Sequence, residues 1–333
     1  MRRKAGATAN PNRGELALIE RIRGRAARTA KSGVTLGIGD DCALLRLKTG
    51  EESAVTTDLS IEGRHFRLDL HPPEAVGHRT LARGLSDIAA MGARPLAAFL
   101  SLGLPAELAE PTGRKRSAWV DRFLDGFLSL ASQHKTPLAG GDLAQSPVAL
   151  ADIVLIGAVP RGKALLRSGA RAGDLLYVTG CLGGSASGLR RLLQGGKNRK
   201  GVVAAHLWPE PRIAQGVWLR NREAASAAID VSDGLSTDLH HLCEESGVAA
   251  DIDSAALAIC PGASLEDALH GGEDYELLFT ARRTARIPKE IAGVAVTCIG
   301  AIVKGRASGP RVTLMDGARR QPLPARGWEH FRT

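Results

Sequence analysis

The chain of 333 residues is poor in aromatics: Phe, Trp and Tyr together make up 4% of it. That argues against a surface that stacks single-stranded nucleic acid. No apolar run reaches about 18 residues, so no membrane-spanning helix and no membrane partner are expected. The five cysteines (Cys42, Cys181, Cys243, Cys260, Cys298) contain no C-x-x-C pair and leave an odd count. Met1-Arg2-Arg3-Lys4 is followed by no apolar leader. Reduced, mostly buried thiols in a cytoplasmic protein are therefore expected. There is no G-x-x-x-x-G-K-[ST] loop, and Gly37-Ile38-Gly39 lacks the third glycine of a dinucleotide fingerprint. Bound phosphates would then be held mainly by metal ions and a few cations. The net charge of +9 comes from arginines spread along the chain, with short clusters only at 114–116 and 197–200. A basic balance without a reading motif does not make a nucleic-acid partner.

What is present is an ordinary globular composition, 44% hydrophobic and 24% charged, long enough for two domains. Strand-like and helix-like runs alternate, which predicts α/β layers. Residues 1–13 read as a disordered lead. A helix opens at Gly14-Glu15 with Leu16, Ile19 and Ile22 on one face. Short strands follow at 43–47 and 54–57, then a helix from Pro73 to Met91, a strand at 97–104, a helix at 117–134 and a strand at 148–159. Pro160-Arg161-Gly162-Lys163 interrupts the apolar runs and divides the chain into domains at 14–160 and 161–333. Beyond it, strands are predicted at 175–179, 228–231, 248–252, 276–280, 294–302 and 312–315, with helices at 185–193, 212–225 and 235–245.

The acid is concentrated in short motifs beside Gly, Ser or Thr: Gly39-Asp40-Asp41, Thr56-Thr57-Asp58, Ser86-Asp87, Gly140-Gly141-Asp142, Asp230-Val231-Ser232-Asp233 and Gly271-Gly272-Glu273-Asp274. Carboxylates at strand ends suit hard cations with oxygen ligands, and Mg²⁺ so bound brings substrate phosphates with it. Each motif also has a plainer reading. Asp40-Asp41 is open between ligand and N-cap or turn, and Asp58 between ligand and strand-end turn. Asp87 stands inside an apolar helix, where a carboxylate needs a partner or a metal. Asp230 has no capping duty, whereas Ser232 or Asp233 can cap the helix that follows. Asp238, Asp251 and Asp253 are read as surface or capping residues. His65 is open between structural and functional roles, and Arg167 between a surface ion pair and a phosphate fork. The glycines before Glu273 suit either a turn or a close backbone approach to a ligand. Trp328 suits either core packing or stacking on an aromatic ligand.

In this order the motifs closely resemble the thiamine-monophosphate kinase family, within the superfamily that includes aminoimidazole ribonucleotide synthetase. The resemblance covers residues 14–331. It runs through Gly37–Leu45, Thr57-Asp58 with Gly63–Phe66, Leu85–Ala93, Gly140–Asp142, Arg167–Ala170 with Gly173-Asp174, Ile229–Leu235, Gly271–Leu277 and Gly327–Phe331. It implies a two-domain α/β fold like that of aminoimidazole ribonucleotide synthetase. The N-terminal domain would bind ATP and Mg²⁺, and its sheet would pair across a homodimer. It implies transfer of the ATP γ-phosphoryl group to thiamine phosphate. By motif position it assigns several Mg²⁺ ions to Asp41, Thr56, Thr57, Asp58, Asp87, Asp142, Asp230 and Asp233. ATP falls to Gly141, Asp142, Arg167 and Ser232, and thiamine phosphate to His65, Glu273 and Trp328. Asp58, Asp87, Asp230, Asp233 and Arg167 would serve charge neutralisation, with no general base. Two positions depart from the family pattern: Gly84 where Asn is common, and Leu143 where Thr is common. The alternatives are another ATP-dependent enzyme of the superfamily, or a non-catalytic sensor of nucleotide or thiamine phosphate.

Overall fold

The computed structural model describes residues 15–27, 33–39, 41–110, 117–195, 201–305, 309–329 and 331. The expected lead at 1–13, Asp40 and the basic clusters at 114–116 and 197–200 lie outside them. After helix α1 (Glu15–Ala26) a small ladder pairs β1 (Val34–Leu36) with β2 (Leu44–Leu45). Then come β3 (Glu51–Ile61), α2 (Pro73–Ala90), β4 (Arg94–Leu104), α3 (Ala106–Ala109), α4 (Trp119–Gln133), β5 (Leu138–Gln145) and β6 (Leu150–Pro160). These strands form one sheet in the order β3-β6-β4-β5. β3 and β6 pair antiparallel along their whole length, from Glu51 opposite Pro160 to Ile61 opposite Leu150.

The second sheet is built from later chain: β7 (Leu175–Thr179), β8 (Ala227–Asp230), β9 (Val248–Asp253), β10 (Leu277–Ala281), β11 (Glu290–Ile291), β12 (Val294–Lys304), β13 (Val312–Asp316) and β14 (Arg319–Pro322). Its order is β14-β13-β9-β12-β7-β10-β8, with β11 on β12. The pairing is antiparallel except between β13 and β9. Helices α5 (Gly184–Leu193), α6 (Val202–Leu207), α7 (Ile213–Asn221), α8 (Leu235–Ser246) and α9 (Leu265–His270) connect these strands. Alternating strands and helices thus yield α/β layers, as the pattern predicts.

Helix α2 joins the two sheets. Pro73 opens it, where a missing N–H costs nothing. Its buried face is made of small and aliphatic residues, so neighbours approach closely. At its crossing with α4, a Cβ on Gly77 would lie 1.9 Å from the Phe123 carbonyl oxygen, and one on Gly126 would lie 1.8 Å from that of Glu74. Only glycine at both positions permits this spacing. Phe123 and Phe127 of α4 are fully buried beneath it; truncating such a ring typically costs about 3–5 kcal/mol. Gly84 has a related cause: a Cβ there would meet the Leu155 side chain at 2.7 Å. At one end of α2, Ala75 packs with Leu192, Val203 and Leu207. At the other, Ala89 and Ala90 pack with Leu165, Leu219 and Phe279 of the second half.

Three expectations need correction. β3 runs well past 57 to Ile61, so Thr56-Thr57-Asp58 is mid-strand, not a strand end. Gly140-Gly141-Asp142 likewise lies inside β5. The antiparallel partner β6 carries the first polar stretch as strand and the parallel partner β4 carries the second, a tertiary effect that local composition does not reveal. The cysteine expectation also fails. Cys181 and Cys260 form a disulfide, Cys42 and Cys298 are exposed, and Cys243 is the buried free thiol, pushed up to about 12 by burial. A bridge between Leu182 and Ile259 sets the paired cysteines side by side across 79 residues of sequence, which no spacing rule detects.

Candidate active site

A cleft of about 840 Å³ opens between the two sheets, with α2 as its shared wall. Period-two alternation along β3 turns Thr56 and Asp58 to α2 and Thr57 to the opposite face. The Thr56 hydroxyl donates to Asp87 Oδ2, and Arg83 donates to Asp58 Oδ1 at 3.2 Å. From the second half, Asp230 ends β8 and accepts from the Ser86 hydroxyl at 2.6 Å. The adjacent Ser86 and Asp87 of α2 therefore each engage a hydroxyl–carboxylate contact, one to each sheet.

These carboxylates, Asp230 buried and Asp58 and Asp87 half-buried, lie close enough to oppose one another. Burial raises the Asp87 carboxyl above its usual range, and the charges of Asp230 and Asp58 raise it further. Asp230 is raised by burial, with Asp58 adding to it and Ser86 opposing. Asp58 is raised by burial too, against the pull of Arg83. Such a set favours a cation. Among the described residues, no group of three or more His, Cys, Asp or Glu could hold a metal ion alone. Mg²⁺ normally takes one or two carboxylates and completes its shell with water and phosphate oxygens. An oxygen-only set of Asp58, Asp87, Asp230 and the Thr56 hydroxyl fits that habit.

The loop after β8 is held from below. Asp238, 2% exposed, accepts from the backbone N–H groups of Ser232, Asp233 and Gly234 at 3.0–3.1 Å. It is a cap for that loop but not a surface residue, because the turn's N–H groups need an internal acceptor. Asp251 pairs with Arg320 at 2.6 Å, and Asp253 caps a short 3₁₀ turn, as a surface-or-capping reading allows. Glu273 and Tyr275 sit at positive φ, 64° and 53°. Their N–H groups donate to the Ser232 and Val231 carbonyls. A Cβ on Gly272 would meet the Ser232 oxygen at 2.5 Å. The glycines thus serve approach to protein backbone. Asp274 accepts from the N–H groups of Gly183 and Ser185, and burial pushes it up to about 7.

Glu273 is tied to the first half of the chain. Arg79 donates to its Oε1 at 2.7 Å. Burial opposes ionisation of Glu273, yet Arg79, then Arg83 and His65, hold its carboxyl below the usual range. Arg79 also reaches His206, whose Nε2 lies 3.0 Å from Nε2 of His71. The Arg67 N–H donates to His71 Nδ1 at 3.1 Å, so neutral His71 carries its proton on Nε2 and donates it to His206 Nε2. Burial, with help from Arg79, lowers His71 to about 4, and it lowers His206 strongly. Both rings are neutral at pH 7. His65 Nδ1 accepts from the Ile61 N–H at 3.1 Å. Trp328, 53% exposed, lines the cleft and is anchored by its N–H to the Asp233 carbonyl.

The cleft gathers Thr57, Asp58, Asp87, Asp230, Ser232, Asp233, His65, Glu273 and Trp328. Thr56 lies behind it on Asp87. Asp41, Gly141 and Asp142 instead line a second pocket of about 590 Å³, between α1, the 37–43 segment and β5. Arg167 lines neither pocket; its charge acts on Asp87 and Asp230. Motif reading missed Arg79, Arg83, Ser185, His71 and His206. The one available signal was the four-residue spacing of Arg79, Arg83 and Asp87 on a single helix.

The AIR synthase related protein N-terminal domain family matches residues 39–159. The thiamine-monophosphate kinase of Escherichia coli (strain K12) is 38% identical over 337 residues, spanning 96% of this chain and 99% of the relative. This chain belongs to the thiamine-monophosphate kinase family. Among solved structures, thiamine-monophosphate kinase from Stenotrophomonas maltophilia K279a superposes with a TM-score of 0.76 at 38% identity, over 90% of this chain and 96% of that one. AaThiL complexed with AMPPCP and TMP gives 0.73 at 30% identity, over 98% and 100%. The thiamine-monophosphate kinase relationship therefore spans both sheets, and so includes both walls of the cleft.

Proposed function

We propose that this chain is a thiamine-phosphate kinase that moves the γ-phosphoryl group of ATP onto thiamine phosphate, giving thiamine diphosphate and ADP. The observation that carries this is the shared cleft, where Asp58, Asp87, Asp230 and Asp233 face His65, Glu273 and Trp328. An acceptor phosphate is largely dianionic near pH 7, its second pKa being about 6. Such a nucleophile needs no strong general base. The barrier is repulsion between two anionic phosphates, so catalysis rests on alignment and charge neutralisation. When bound, Mg²⁺ supplies neutralising charge to both sets of phosphate oxygens. In this reading Asp58, Asp87, Asp230 and Asp233 hold the ions with Thr56 and Thr57, and Asp41 and Asp142 do so from the second pocket. Gly141, Asp142, Arg167 and Ser232 take ATP. His65, Glu273 and Trp328 take thiamine phosphate, Trp328 offering its ring face. Transfer is direct, with no phosphoenzyme.

The same reading assigns 14–160 to an ATP- and Mg²⁺-binding, dimerising domain and 161–333 to a second α/β domain. It includes a homodimer formed through the first sheet. β3 is an edge strand with Val55 60% and Leu59 44% exposed, a surface suited to a second copy. It places the enzyme in the cytoplasm, where ATP is supplied; among the described residues no helix is long and apolar enough to cross a membrane. The test is ADP release by the purified protein with ATP and Mg²⁺, with and without thiamine phosphate. ADP and thiamine diphosphate should appear together, one for one, only when acceptor is present. Binding of both substrates without turnover would instead identify a sensor.

A further inference from the structure

Helix α2 carries an arginine that the site's internal bonding does not use up. Arg79, Arg83 and Asp87 follow at four-residue steps and share the helix face that turns toward the cleft. Arg79 is consumed: it pairs with Glu273 and donates to His206. Arg83 makes a single hydrogen bond among the described residues, to Asp58 at 3.2 Å. A guanidinium offers five N–H donors in a fixed fork. The Arg83 side chain is only 18% exposed, and a charge removed that far from water is costly unless it is paired. It lines the cleft, so the donors left over are available to what enters there.

Its position narrows what that is. Its hydrogen-bond partner is Asp58, which lines the cleft together with Asp87 and Asp230. Glu273 and Tyr275 line the same cleft, and the arginine also shares a small void with His65 and Phe66. Arg83 thus reaches both Asp58, among the acids, and the void beside His65, one of the residues assigned above to the acceptor. We propose that Arg83 binds the phosphate monoester of the acceptor, its fork taking two phosphate oxygens. This rests on the acceptor reading above and adds a substrate-binding residue to it. The bond to Asp58 parks the cation beside a carboxylate; a dianionic phosphate is the stronger partner for the fork. Lysine would supply charge without the paired donors.

The test is calorimetric titration without ATP, using thiamine phosphate and thiamine as probes on wild type, Arg83→Met and Arg83→Lys. Arg83→Met should weaken thiamine phosphate about 10- to 100-fold, the usual worth of a charge-assisted hydrogen bond, and leave thiamine within about twofold. Arg83→Lys should fall between. In steady state, Arg83→Met should raise KM for thiamine phosphate with KM for ATP held. Equal weakening of both probes would make Arg83 structural and overturn the proposal. So would unchanged thiamine phosphate binding, or a rise in KM confined to ATP. If wild type itself does not prefer thiamine phosphate to thiamine, the acceptor reading falls and takes the proposal with it.

Discussion

The two acid-lined pockets are built in opposite ways. In the cleft, buried Asp230 is oriented by Ser86 and half-buried Asp87 by Thr56, with Asp58 held by Arg83. In the second pocket, Asp41 and Asp142 are exposed, and Asp142 is placed by strand register opposite Ser101. One pocket has its carboxylates fixed by side-chain bonds at the cost of mutual repulsion. The other relies on backbone placement alone for Asp142. Function and stability should therefore pull against each other in the cleft and not in the second pocket.

The sharpest break of that contrast is Asp87→Asn or Asp230→Asn. Turnover should fall about 10³-fold, because charge stabilisation in a buried site is lost. Melting temperature should hold or rise, since a neutral isostere ends the repulsion. Near-wild-type turnover at limiting Mg²⁺ in both variants would remove the metal assignment. The second pocket should respond in the reverse sense to Gly141→Ala. Its φ is 150°, and a Cβ would lie 1.9 Å from the Leu100 oxygen. A stability loss of about 3–4 kcal/mol is expected by urea titration.

Acid should act next on the α2 contact with the second half, outside both pockets. His78 of α2 donates to the Pro209 carbonyl at 2.8 Å, and burial lowers it from 6.5 to about 4. Its folded pKa is depressed, so the unfolded chain takes up its proton first. The stability this gives is complete above pH 6.5 and is lost as pH falls toward 4. Relative to His78→Gln, wild type should lose up to about 3 kcal/mol across that window. A constant gap between the two denaturation curves would show that His78 does not titrate as described. The smallest effect is Asp142→Asn, which should raise KM for ATP about tenfold, about 1.4 kcal/mol, with no change in melting temperature. A drop in stability would mean that the second pocket is as strained as the cleft.

Much of this contrast could be read from sequence, but unevenly. Asp87 was legible because a carboxylate amid Leu85, Ile88 and Ala89 has no solvent to face. Asp230 was legible because it closes a buried strand without capping the helix beyond. Arg79 and Arg83 were not, because charge on an amphipathic helix normally marks the solvent side. Here the far side of the helix meets a second sheet, and the partner of Arg79 lies 194 residues away. For Asp238 the capping half of its reading holds and the surface half does not, because the turn whose N–H groups it accepts points inward. The length of β3 escaped because its polar middle is sustained by β6, whose pairing residues begin about ninety positions later.

One helix reaching both sheets also bears on how the molecule can be divided. A cut at the joint around Gly162 would leave α2 attached to the first piece with its alanine-rich tip stripped of Leu165, Leu219 and Phe279. The second piece would keep Asp230 and Glu273 but lose Ser86 and Arg79, which orient them. Neither fragment inherits a working half. The chemistry belongs to the seam, and the two lobes form one indivisible tool.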